Sequence, residues 1–162
     1  MKKITLFIFI LTTSIGFSQN LITNGDFESG TAGWSGNALN VVTEVDNSYN
    51  AAEVAVAGNA FDVNLSYVTP MTTMGTAYKL TFTGFSDGDR TILAGIGLNE
   101  GPWTAVTQTI NLTNAPQTFE LTLITNFASA NSRIIFDMGA DTGFVGIDDV
   151  VLEITTTTCN NG

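Results

Sequence analysis

Asn131-Ser-Arg-Ile-Ile-Phe-Asp-Met-Gly139, followed by Val145-Gly-Ile-Asp-Asp-Val-Val-Leu152, is the stretch that decides the fold of this chain. Ile134, Phe136 and Met138 alternate with Ile135 and Asp137. That period of two is what a half-buried strand requires, because successive side chains leave opposite faces of the pleat. The alternation recurs upstream. Phe61, Val63, Leu65 and Tyr67 alternate with Asp62, Asn64 and Ser66; Tyr78, Leu80 and Phe82 with Lys79, Thr81 and Thr83; Phe119, Leu121 and Leu123 with Glu120 and Thr122. Further strands are expected at 39–45, 52–57, 91–98, 107–112 and 145–154. Turn chemistry separates the runs: Asp46-Asn47-Ser48, Gly58-Asn59, Met74-Gly75, Asp87-Gly88-Asp89, Glu100-Gly-Pro102, Asn114-Ala-Pro116 and Asp141-Thr-Gly143. No convincing helical period is present. About nine short strands at this spacing predict an all-β chain, an antiparallel β-sandwich of the jelly-roll kind.

The other end of the sandwich is Asn20-Leu-Ile-Thr-Asn-Gly-Asp-Phe-Glu-Ser-Gly30, with Trp34 shortly after. The two ends read as neighbours, and their oxygen-rich residues suit a hard cation such as calcium, which takes carboxylates and carbonyls in flexible geometry. Candidate ligands are Asp26, Glu28, Asn50 and Asp148. Asp and Asn near strand ends are also ordinary turn formers.

Residues 1–18 read as a secretory signal rather than as part of the fold. Lys2 and Lys3 precede an apolar run from Ile4 to Leu11, and Gly16 and Ser18 place small residues before a cut at Gln19. The run is too short for a membrane span. Residues 19–154 then form one domain, and 155–162 a Thr-rich tail or the start of a linker carrying Cys159, the chain's single cysteine, so no internal disulfide can form. Beyond the signal, Lys79, Arg90 and Arg133 face fifteen carboxylates. Such a surface repels nucleic-acid backbones and anionic lipids, and a neutral ligand or a cation fits better.

The chain has no histidine. That removes the Ser-His-Asp and Cys-His arrangements, and with Cys159 in the tail a zinc site is not expected either. Glycoside hydrolysis needs two facing carboxylates. Asp148 and Asp149 are adjacent, so on a regular strand they point to opposite faces. The remaining resource is aromatic. Trp34, Tyr49, Tyr67 and Trp103 lie near turns or strand ends, where a ring can lie under a pyranose while amides and Arg bond its hydroxyls. Trp103 follows Gly101-Pro102 and reads as exposed, whereas Trp34 reads as core. Arg90 and Arg133 could fork to hydroxyls or form surface salt bridges.

The opening stretch with Trp34, then Thr76-Ala-Tyr-Lys-Leu-Thr-Phe82, then Ile147-Asp-Asp-Val-Val-Leu152, resembles the carbohydrate-binding modules of the family 4, 9, 16 and 22 type. These are galactose-binding-domain-like jelly rolls, and the resemblance covers about residues 20 to 154. Asp89-Arg-Thr-Ile, Gly97-Leu-Asn-Glu-Gly-Pro-Trp103 and Asn131-Ser-Arg-Ile-Ile-Phe-Asp-Met-Gly139 look like the family 4 modules of secreted β-1,3-glucanases, the laminarinases. The resemblance implies a structural Ca2+ held near Asp26, Asn50 and Asp148, with Glu28 a weaker addition. It also implies a glycan cleft on one concave sheet face, with Asn99, Trp103, Arg133 and Asp137 as ligand-binding residues and Tyr67 and Arg90 as less secure ones. Leu93 stands where some cellulose-binding relatives have Arg. Arg133 and Asp137, four apart, share a strand face.

The expected function is a secreted, monomeric, non-catalytic module. It would bind a neutral β-glucan, laminarin-like first, and target a tethered glycoside hydrolase to polysaccharide. An extracellular structural or adhesion module without glycan binding, and a hydrolase in its own right, are the other two readings.

Overall fold

In the computed structural model, residues 19–155 other than Asp46 are described. Residues 1–18, where a secretory signal is expected, and the tail beyond Thr155, with Cys159, lie outside the described residues. Ten strands follow in order: β1 (Trp34–Ser35), β2 (Val41–Glu44), β3 (Asn47–Val54), β4 (Asn64–Val68), β5 (Ala77–Ser86), β6 (Arg90–Leu98), β7 (Ala105–Leu112), β8 (Gln117–Ile124), β9 (Ser132–Asp137) and β10 (Gly143–Ile154). They form two five-stranded antiparallel sheets, ordered β1-β4-β9-β6-β7 and β2-β3-β10-β5-β8. The chain is an all-β sandwich, as the alternation predicts.

The alternating apolar sets meet between the sheets. Tyr78, Leu80 and Phe82 of β5, Leu121 and Leu123 of β8, and Ile134 and Phe136 of β9 are buried. Phe82 and Phe136 touch across the layers, edge to face, with ring centroids 4.9 Å apart. Trp34 is core, as expected: it stacks on Phe27 at 4.7 Å, and its indole N–H donates to the Asn24 carbonyl at 2.7 Å.

Backbone hydrogen bonds join the two ends of the chain. Leu21 N–H donates to Leu152 O at 2.8 Å and Val150 N–H to Gly25 O at 2.9 Å. A β-carbon on Gly25 would lie 1.8 Å from Val150 O, so only glycine permits this approach. β10 carries a bulge between Asp148 and Val151, with Asp149 at φ 51°. The bulge leaves Asp148 buried and Asp149 exposed.

Three expectations fail locally. The strand expected at 52–57 is Asn47–Val54, ending before Ala55. The strand expected to include Phe61 begins only at Asn64. Ala60–Asp62 is instead a 3-10 turn. Asp62 Oδ2 closes it by accepting from Asn59 N at 2.7 Å, and Gly139 N–H, donating to Ala60 O at 2.8 Å, ties it to the sandwich. Phe61 is therefore 67% exposed. The turn expected at Asp46-Asn47-Ser48 is shorter, because Asn47 and Ser48 already pair with Glu44 and Thr43.

Candidate functional site

The sheet β1-β4-β9-β6-β7 turns its outer face to a groove of about 600 Å3. On β9, Ile134 and Phe136 are spent on the core, so Arg133, Ile135 and Asp137 face outward. Pairing brings Val68 and Gly97 beside Arg133, with Ala105 beyond Gly97, Ser66 and Gly95 beside Ile135, and Asn64 and Leu93 beside Asp137. A β-carbon on Gly95 would lie 2.1 Å from Val106 O, so only glycine permits this approach of the neighbouring β7 backbone.

Two exposed rings border the groove. Trp103, from the β6–β7 loop, is 61% exposed, and Phe61 enters from the turn before β4. Trp103 sits at φ 60°, the left-handed region that costs a bulky residue about 1–2 kcal/mol. Bonds from Trp103 N to Glu100 O and from Leu98 N to Thr104 O, both 2.9 Å, hold the loop in place.

Polar groups cross the floor between the rings. Arg133 Nη1 donates to Ser66 Oγ at 3.1 Å and reaches Asn64 Oδ1 at 3.4 Å, while its Cζ lies 5.6 Å from the Trp103 ring centroid. Asn64 Nδ2 donates to Asp137 Oδ1 at 2.5 Å. Burial raises the Asp137 pKa, against the opposing effects of the Asn64 bond and the Arg133 charge.

Of the residues expected to meet a ligand, Trp103, Arg133 and Asp137 line this groove. Asn99 stands behind it: its Nδ2 donates to Asn131 Oδ1 at 3.1 Å and its N–H to Asn131 O at 2.9 Å, bracing the Trp103 loop. Tyr67 is corrected to a core residue. It follows Ser66 on β4, so it faces inward, packs edge-on against Trp34 at 5.3 Å and shares a 2.9 Å hydrogen bond with Thr23 Oγ1. Arg90 is also corrected. It is 6% exposed and spends its guanidinium on the carbonyls of Met138, Asp141, Thr142 and Gly143, away from the groove. Burial lowers its pKa, and Asp141, Asp87 and Glu53 oppose that shift. Sequence reasoning missed Phe61 and Asn64. The turn signal Gly58-Asn59, one residue ahead of Phe61, was the available hint.

The expected calcium ligands divide. Asp148 is 6% exposed, accepts from Asp149 N at 2.8 Å and from Asn47 Nδ2 at 3.2 Å, and is raised in pKa first by burial; those two bonds oppose the shift, and the nearby Asp149 and Asp26 charges add to it. Glu28 Oε1 instead accepts from Ser48 N at 2.7 Å. Asn50 accepts from Asn40 N and donates to Ala38 O, so its side chain is corrected to a backbone brace. Among the described residues no three carboxylates gather closely enough to hold a metal by themselves. The hard-oxygen chemistry around Asp26 and Asp148 fits calcium only if backbone carbonyls complete the set.

Residues 19–143 match the family described as Carbohydrate binding domain, CBM_4_9. The chain belongs to this family. Among solved structures it is similar to one described as "CBM4 structure and function", with 23% identity, a TM-score of 0.67, and 83% of this chain and 99% of that one covered. It is also similar to the second N-terminal cellulose-binding domain of Cellulomonas fimi β-1,4-glucanase C, with 22% identity, a TM-score of 0.69, and 90% and 100% covered. The first N-terminal domain of the same enzyme aligns with 22% identity and a TM-score of 0.65, over 85% of this chain and 98% of that one. No protein of curated function matches the sequence. At these identities the structural likenesses bear on the fold, which is that of a family 4 jelly roll.

Proposed function

We propose that this carbohydrate-binding domain is a secreted, non-catalytic module that holds soluble β-glucan chains in the groove, laminarin-like β-1,3-glucan first. The observation that carries the reading is the pair of exposed rings, Phe61 and Trp103, bordering a floor that offers both a hydroxyl acceptor in Asp137 and donors in Arg133. Rings cover the apolar faces of a pyranose, and the polar floor fixes its hydroxyls. Asp137 is the one carboxylate among the described residues lining the groove, while glycoside hydrolysis uses a facing pair. Cellulose-binding domains among the solved relatives add β-1,4-glucan to the ligands to be tried.

A hydrolase tethered to such a module works at raised local substrate concentration. The apolar N-terminal segment after Lys2 and Lys3 supports export. Calcium near Asp26 and Asp148 would be structural, offsetting the carboxylate crowding at the closed end of the sandwich.

Isothermal titration against laminarin, barley β-glucan, xylan and cello-oligosaccharides tests the reading. Laminarin should bind most tightly. Absence of heat with every glycan, for folded protein with calcium present, would refute glycan binding, and tighter binding of cello-oligosaccharides would move the preference to β-1,4-glucan.

A further inference from the structure

Every polar atom of Asn64 is engaged by the protein. Its Oδ1 accepts from Ser66 Oγ at 2.5 Å and faces Arg133 Nη1, and its Nδ2 donates to Asp137. Its backbone N–H donates to Asn37 Oδ1 at 2.8 Å, and its carbonyl accepts from Ala38 N at 3.0 Å. Asn37 Nδ2 in turn donates to Asp62 O at 2.7 Å, in the turn that carries Phe61. One chain of hydrogen bonds therefore runs from the Phe61 turn through Asn37 and Asn64 to Ser66 and Arg133, and Arg133 lies against the ring of Trp103. The turn that carries Phe61 is tied to this residue through its backbone N–H, and Arg133, lying against Trp103, through its side chain.

We propose that Asn64 is the positioning residue of the groove: it holds Arg133 against Trp103 and orients Asp137, so that the two rings and the polar floor keep one binding geometry. The inference rests on the groove being the glycan site. An amide suits the position because at any pH it supplies a donor to Asp137 and, at the same time, an acceptor to Arg133 and Ser66. A carboxylate there would face Asp137 across 2.5 Å, and two such groups cannot both be charged. The charged group that acts on Asp137 is Arg133 on its own strand, and Leu93 of β6 is its other cross-strand partner. The pair made by Asn64→Asp would hold one proton between its members at moderately acid pH. The protonated form then repeats the donor that Asn64 supplies.

The test uses Asn64→Asp and Asn64→Ala at pH 8 and pH 5, with laminarin titration and Trp103 emission as readouts. Trp34 is buried, so quencher-accessible emission reports Trp103. At pH 8 both variants should bind about tenfold more weakly than wild type or worse, in proportion to lost charge-assisted hydrogen bonds. Both should also show increased quenching of Trp103. At pH 5 Asn64→Asp should recover towards wild type in both readouts, while Asn64→Ala should not. A ratio to wild type that is the same for the two variants at both pH values, or wild-type emission in both, overturns the proposal. The emission arm needs no glycan. A wild type that binds none of the glycans while its variants show the stated emission pattern therefore retires the β-glucan reading and keeps the role of Asn64.

Discussion

Removing the Trp103 ring by Trp103→Ala separates binding from folding, because the residue is 61% exposed. A whole tryptophan buries about 150–250 Å2. With the ring edge braced by its loop, one open face offers roughly 60 Å2 to a sugar, which at about 25 cal/mol per Å2 contributes ~1.5 kcal/mol. Specific aromatic contact adds about 0.5–1.5 kcal/mol. The expected loss is about 2–3 kcal/mol, a rise in laminarin Kd of roughly 30- to 150-fold. Folding loses the contact with Arg133, about 0.5–1 kcal/mol for an exposed cation–π pair, and the packing of the covered ring edge. Titration calorimetry measures the first quantity and urea unfolding the second. A Kd within twofold of wild type would refute the placement of the sugar on this ring. A stability loss above about 3 kcal/mol would instead show that the ring supports the core, as large-to-small core changes do.

Gly25→Ala should destabilise the fold by several kcal/mol, on the order of a disrupted core site, because its β-carbon would enter Val150 O; thermal unfolding checks this, and a wild-type Tm would contradict the end-to-end clasp. Asp137 has a raised folded pKa, so between the ordinary Asp value and that raised value the folded chain holds a proton the unfolded chain has released. Stability contributed by this group therefore falls as pH rises through that window, and Asp137→Asn should gain on wild type from pH 4 to pH 7 in urea melts. Asp148 is raised in the same direction, so Asp148→Asn in calcium-free buffer should melt no lower than wild type. Added calcium should raise the wild-type Tm and leave Asp148→Asn unmoved; an equal rise in both, or in neither, removes the calcium proposal.

The alternation of Tyr78, Leu80 and Phe82, and of Ile134 and Phe136, was enough to place strands and core, because a two-residue period with one buried face leaves a single consistent register. Trp103 was legible as an exposed ring because it follows a Gly-Pro turn. Phe61 was not, because its spacing with Val63, Leu65 and Tyr67 extends the strand pattern, and what breaks it is Asp62 closing a turn onto Asn59.

Sequence alone determined the sandwich, the joining of its ends and the acidic surface, since these follow from periodicity, from recurring motifs and from charge. Tertiary structure decided which outward residues share one groove. Tyr67 and Ser66 are neighbours in the chain, yet one packs on Trp34 and the other bonds Arg133. Arg90 and Arg133 are equal as letters, yet one is consumed by four carbonyls and the other lies against an open ring. The reason is that a residue's partners across a sheet come from strands distant in the chain, and only their pairing brings Asn64, Asp137 and Arg133 within hydrogen-bonding reach.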